Sequence, residues 1–88
     1  MTDVFFTERG KARLDELDSA ARERIETKLR EARDWPDHFL ESLRGRDDYV
    51  LRVGDYRALI QWERNEDGSD VLYVKSVGHR RNFYDREL

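Results

Sequence analysis

The residues of this chain best suited to chemistry lie in its second half. Arg52 and Arg57 flank Gly54-Asp55 in the run YVLRVGDYR, a two-residue hairpin signal between alternating apolar positions. If Gly54 and Asp55 form the turn, Val53 faces Tyr56 and Arg52 faces Arg57 on paired strands at 49–53 and 56–63. Two guanidinium groups side by side repel unless an anion or a carboxylate sits between them. One outcome is a phosphate clamp, with planar forks binding oxygens and stabilising charge that grows during phosphoryl transfer. The other is pairing with Asp47, Asp48 or Asp55, and the pattern leaves both open. The last apolar run ends in Gly78-His79-Arg80-Arg81-Asn82-Phe83-Tyr84. His79 has the ordinary chemistry of a general acid near neutral pH, although a lone histidine is more often structural. Tyr84 offers a ring for base stacking and a hydroxyl for proton transfer, or simply packs the C-terminal segment onto the sheet. Arg81 fits a plain surface charge equally well.

Other chemistries find little support. There is no cysteine, so neither a disulfide framework nor thiolate chemistry arises. His38 has Asp37 and Glu41 nearby, but two histidines in all make a poor structural zinc set. No Gly-rich phosphate loop precedes a helix, and no Ser/His/Asp spacing is recognisable. Trp35 and Trp62 read as core residues.

Several elements must position these groups. Val4-Phe5-Phe6 reads as a short strand, and Thr7 as the cap of a helix over about 8–17. Ser19 reads as a second cap, starting a helix over about 20–34 with an apolar stripe of Ala21, Ile25, Leu29 and Ala32. Pro36 ends it, since the residue before proline avoids helical geometry. Residues 36–48 read as a connection pinned by Phe39, Leu40 and Leu43. A three-residue loop, Glu66-Asp67-Gly68, then sets Leu72 and Val74 with Trp62 and Ile60. It leaves Tyr73 and Lys75 beside Gln61 and Leu59 on the arginine face. The expected architecture is α+β: an N-terminal strand, a two-helix hairpin packed on an antiparallel meander, and a short C-terminal segment.

Eighty-eight residues make a single domain, 1–88, with a modest core. Net charge is −3, which argues against a generically basic nucleic-acid binder. The acid excess lies in the first half: 11 acidic and 8 basic residues up to Leu43, against 9 and 9 beyond it. Fourteen of the 17 basic residues are arginine, the better planar fork for phosphate, although genome composition alone produces the same bias. The N-terminus does not read as a signal peptide and no apolar run reaches membrane-spanning length, so a soluble cytoplasmic protein without a membrane partner is expected.

The runs LRGRDDYVLRVGDYRALIQW and VLYVKSVGHRRNFY resemble the RelE/ParE superfamily of toxin–antitoxin toxins, over nearly the whole chain. The resemblance implies a compact microbial-ribonuclease-like fold and a cognate antitoxin. For the RelE branch it implies a metal-independent endoribonuclease, needing no cofactor, that cleaves mRNA in the ribosomal A site by attack of the ribose 2′-hydroxyl on the adjacent phosphate. Carried over by position, Arg52 lies near the attacking hydroxyl. Arg57 and Arg80 face the phosphate, and Tyr84 stacks on the substrate. His79 is the general acid, and Arg44, Lys75 and Arg81 contact RNA. Val50 stands where the RelE type carries a lysine, and arginine is a poor general base. The ParE branch shares the fold, lacks nuclease activity and inhibits DNA gyrase. An inactive, antitoxin-binding relative is a third possibility.

Overall fold

A computed structural model describes residues 2–87, with side chains as far as Tyr84. Strand β1 (Asp3–Phe6) stops at Thr7, whose hydroxyl accepts the Gly10 N–H at 3.0 Å and caps α1 (Glu8–Asp15). The next helix, α2 (Ser19–Asp34), is capped by Asp18 rather than Ser19, the Asp18 carboxylate accepting the Ala21 N–H at 2.8 Å. A carboxylate satisfies an orphan amide and also suits the positive end of the helix dipole. Ala21, Ile25, Leu29 and Ala32 are all buried, as their spacing predicts. Pro36 both ends α2 and opens a single turn, α3 (Pro36–Phe39). The segment read as a connection then contributes a strand, β2 (Leu40–Ser42), too short to show an alternating pattern.

The remaining strands are β3 (Tyr49–Val53), β4 (Tyr56–Glu63) and β5 (Val71–His79), followed by helix α4 (Arg80–Glu87). The five strands form one sheet in the order β1-β5-β4-β3-β2. Strands β3 to β5 are the expected antiparallel meander, β2 extends it by a further antiparallel strand, and β1 joins the other edge parallel to β5. The chain crosses from one edge to the other through α1, α2 and α3. Leu14, Ile25 and Leu29 pack there against Leu51, Ile60, Leu72 and Val74. Burying each such side chain contributes about 1.5–3 kcal/mol. Helix α1 lies close on β5: a Cβ at Gly10 would sit 2.0 Å from the Val74 carbonyl oxygen.

The first hairpin has the predicted register, with Arg52 opposite Arg57 and Val53 opposite Tyr56. Gly54 takes φ +57, the left-handed conformation such a turn demands. In the second hairpin Gln61 pairs with Tyr73 and Ile60 with Val74, as expected. A bulge then follows, so Leu59 pairs with Ser76 instead of standing beside Lys75. The extra residue reverses the facing of everything after it. Val77 thereby enters the helix-covered core, and His79 falls opposite Tyr56.

The second face of the sheet carries its own small core of Val50, Leu59 and Phe83, with Leu43 packed against it. The C-terminal segment is thus a helix, docked through Phe83. Of the tryptophans, Trp62 packs against the core, but Trp35 is 58% exposed and stacks on His38 at 4.1 Å. No helix among the described residues is long and apolar enough to cross a membrane.

Candidate nucleic-acid interface

Three arginines converge on the β3–β4 turn. Arg52 and Arg57 are cross-strand neighbours on the face opposite α1 and α2. Arg80 opens α4 and is tied to the same turn, its backbone N–H donating to the Asp55 carbonyl at 2.7 Å. The three have different surroundings. Arg52 is exposed and stands 3.8 Å from Glu41. Arg80 is exposed and stands 3.7 Å from Asp55. Exposed pairs at such distances are worth about 0–1 kcal/mol and yield readily to a better anion.

Arg57 is only 7% exposed. Its Nη1 donates to the carbonyls of Gly54 and Tyr56, both at 2.8 Å, and its Nε is buried without a partner. The turn backbone therefore holds one edge of the guanidinium and fixes its plane. A buried N–H with no acceptor costs about 1–3 kcal/mol. The pairing alternative does not describe Arg57: carbonyl dipoles hold it, and among the described residues no carboxylate does.

Asp48 serves a different pair of cations. Its carboxylate accepts from Arg46 at 3.0 Å and from Lys75 at 3.2 and 3.3 Å. Burial pushes the Asp48 carboxyl up, but hydrogen bonds and charge from Lys75 and Arg46 together hold it below its ordinary value. Lys75, the residue displaced by the bulge, thus bridges β5 to the loop that carries Arg44. Arg44 itself is exposed in that loop.

The expected cluster is not brought together whole. His79 lies on the Tyr56 side of the sheet, edge-on to the Tyr56 ring at 5.6 Å, away from the face of Arg52 and Arg57. Its Nδ1 accepts the Arg81 N–H at 3.2 Å, so it acts as a cap for α4. Arg81 is exposed. Tyr84 is 47% exposed, held edge-on against Phe83 at 5.4 Å. Val50 is buried beneath Phe83, so that position offers no proton acceptor.

Sequence reasoning missed Phe83 as the anchor of α4 and the bulge that turns His79 away. The signal for the bulge was present: Val74 and Val77, three apart, cannot both face one core in a regular strand. Among the described residues no group of three or more His, Asp or Glu side chains is placed to hold a metal ion.

The comparisons with known proteins agree with this architecture. Residues 4–84 match the family described as the ParE toxin of type II toxin–antitoxin systems, parDE. No curated protein matches. Among solved structures, the chain is similar to one in the intact RelBE toxin–antitoxin complex of E. coli, with 31% identity and a TM-score of 0.65 over 86% of this chain and 93% of that one. It is similar to a chain of the Methanococcus jannaschii RelB–RelE complex at 26% identity and TM-score 0.66, over 92% and 95% of the two chains. The RelBE2 complex of Mycobacterium tuberculosis gives a TM-score of 0.72 over 89% and 96%, at 21% identity, a likeness of fold. With the family matched across almost its whole length, and a fold shared with toxins of RelBE complexes, the chain belongs to the RelE/ParE superfamily of type II toxin–antitoxin toxins.

Proposed function

We propose that the protein is a ribosome-dependent endoribonuclease of the RelE type, acting in the cytoplasm on mRNA in the A site without a metal. One observation carries the reading: the buried guanidinium of Arg57, pinned by the turn on one side and unpartnered at Nε, with Arg52 and Arg80 beside the same turn. In this reaction the 2′-oxygen bonds to the adjacent phosphorus and the bond from phosphorus to the 5′-oxygen breaks. The products are a 2′,3′-cyclic phosphate and a 5′-hydroxyl. Solvent water accepts the 2′-hydroxyl proton and water returns one to the departing 5′-oxygen, so the protons balance. Arg57 and Arg80 stabilise the extra negative charge on the phosphate oxygens, and Arg52 favours the developing 2′-alkoxide by charge rather than as a base. Tyr84 stacks on a substrate base, and Arg44, Lys75 and Arg81 supply further RNA contacts. His79 caps α4 and takes no part in proton transfer. A cognate antitoxin is the second partner, covering this face and α4, in which Phe83 is the buried side chain among the described residues.

The test separates binding from chemistry. Arg57→Ala should slow cleavage on programmed ribosomes by about a hundredfold or more while ribosome affinity changes little, because the charge it meets develops only in the transition state. Equal losses in both would remove Arg57 from the chemistry. A second reading, inhibition of DNA gyrase without nuclease activity, is favoured by the ParE description of the matching family and by the buried Val50. Inhibition of supercoiling by a protein that leaves mRNA intact would establish it.

A further inference from the structure

We propose that Gly78 seats the scissile phosphate: the side chain missing opposite Arg57 is the gap through which the RNA backbone comes down onto the arginines. This rests on the nuclease reading above and deepens it. Three of the five glycines take a positive φ, and at Gly10 a Cβ would strike the Val74 carbonyl. Gly78 has neither reason to be glycine. Its φ lies outside the left-handed region, and among the described residues no atom beyond its chain neighbours lies within 4 Å of where its Cβ would stand. The bulge, another common cause, falls at Leu59/Ile60, away from the Arg57–Gly78 pair. A glycine inside a strand weakens it, and one that relieves nothing within the chain marks a place where something outside comes close to the backbone.

The surroundings identify what approaches. Arg52, Arg57 and Gly78 stand in one row across β3, β4 and β5, on the face opposite α1 and α2. Neighbouring strands lie roughly 4.8 Å apart, so Arg57 has a second guanidinium-bearing residue on one side and bare backbone on the other. The next row, Val50, Leu59 and Ser76, is buried, with Val50 and Leu59 in one cluster with Phe83. Strand β1 pairs with β5 over Val71–Val74, so at Gly78 the far side of β5 has no strand beside it among the described residues. Arg80 follows two residues later, its N–H tied to the Asp55 carbonyl, which sets the gap between the two arginines assigned to the phosphate. The carboxylates paired there, Glu41 and Asp55, stand 3.8 and 3.7 Å from Arg52 and Arg80, and neither is paired with Arg57. A methyl at position 78 would add a carbon about 1.5 Å out from the backbone, in the path of the phosphate. Displacing a reacting group by about 1 Å costs roughly a hundredfold in rate.

The experiment compares wild type with Gly78→Ala and Gly78→Val in melting temperature, affinity for programmed ribosomes, single-turnover rate of A-site cleavage, and antitoxin binding. Both variants should melt at or a few degrees above wild type, since alanine narrows the unfolded ensemble and valine suits a strand. Ribosome affinity should stay within about threefold, because the added carbon disturbs the geometry of reaction rather than docking. Cleavage should fall about a hundredfold for alanine and further for valine. Wild-type cleavage by folded Gly78→Ala would overturn the seat and leave the nuclease reading standing. A melting temperature well below wild type would show that the glycine serves the fold, and equal losses of ribosome affinity and cleavage would place it in docking; either overturns the proposal. Loss of antitoxin binding with cleavage intact would assign the gap to the protein partner and overturn it too. Wild-type protein that leaves mRNA intact would overturn both the seat and the nuclease reading.

Discussion

Truncating Phe83 to alanine should release α4 without unfolding the protein. Phe83 is 1% exposed, yet it belongs to a satellite core whose other buried members among the described residues are Val50 and Leu59. Removing its ring forfeits about 1.5–3 kcal/mol of burial. The full 3–5 kcal/mol of a central Phe→Ala change is not expected, because a terminal helix moves to close the gap. An eight-residue helix does not hold itself together in water, so the loss falls almost wholly on docking. At about 1.4 kcal/mol per decade, the docked population relative to the open one falls roughly 10- to 150-fold. Native-state hydrogen exchange reads this directly. Amides of α4 should lose protection by that factor while those of β4 and β5 stay near wild type, and the melting temperature should fall by only a few degrees. Cleavage should drop as well, since Arg80 and Tyr84 ride on this helix. Wild-type protection of α4 would refute the reasoning, as would matched loss across β5, which would make the satellite core part of the global unfolding unit.

Further substitutions probe the rest of the account. Gly10→Ala should destabilise by about 1–3 kcal/mol although alanine is the better helix former, because its Cβ would meet backbone at Val74 that cannot give way; urea midpoints would show a gain instead if α1 were free to shift. Gly54→Ala should cost about 1–2 kcal/mol, from its left-handed φ, since the Arg24 guanidinium in its path is the tip of a flexible side chain; a neutral outcome would mean the turn relaxes to another type. The carboxyl of Asp48 is held below its ordinary value, so its stabilisation is present above the unfolded value of roughly 4 and lost as pH falls through the lower folded value. Asp48→Asn should therefore be the less stable protein near neutrality but show a shallower loss in acid, and parallel pH profiles of the denaturation midpoint would count against that role. His79→Asn, which preserves a cap for α4, should keep cleavage within a few fold of wild type. A loss comparable to Arg57→Ala would return the imidazole to the chemistry.

The first hairpin was legible because Gly54-Asp55 allows one tight register, and that register alone sets Arg52 opposite Arg57. The stripe of α2 was legible for a similar reason: four apolar residues at helical spacing have one face to share. Regular alternation then misled the reading of β5. Carried through unbroken, it puts Lys75 beside Leu59 and leaves the strand's end facing the wrong way. A single extra residue undoes this, and only the spacing of Val74 and Val77 betrays it. Strand β2 and helix α4 were beyond local signals. Three residues carry no period, and α4 forms because Phe83 finds Val50 and Leu59, a contact distant in sequence. That Arg52 and Arg57 are cross-strand neighbours could be read from the hairpin. Their differing fates could not, because what holds Arg57 is the carbonyls of its own turn, and backbone acceptors leave no trace in residue identity.

The central claim is best tested by mapping mRNA ends after incubating the protein with programmed ribosomes in chelator, using a message with or without a single 2′-deoxy substitution at the A-site nucleotide. The account predicts cuts within the A-site codon, a 2′,3′-cyclic phosphate on the upstream fragment, and no cut where the 2′-hydroxyl is missing. Intact mRNA from wild-type protein that still arrests cell growth would contradict it, and cleavage that persists at the deoxy position would contradict the proposed nucleophile.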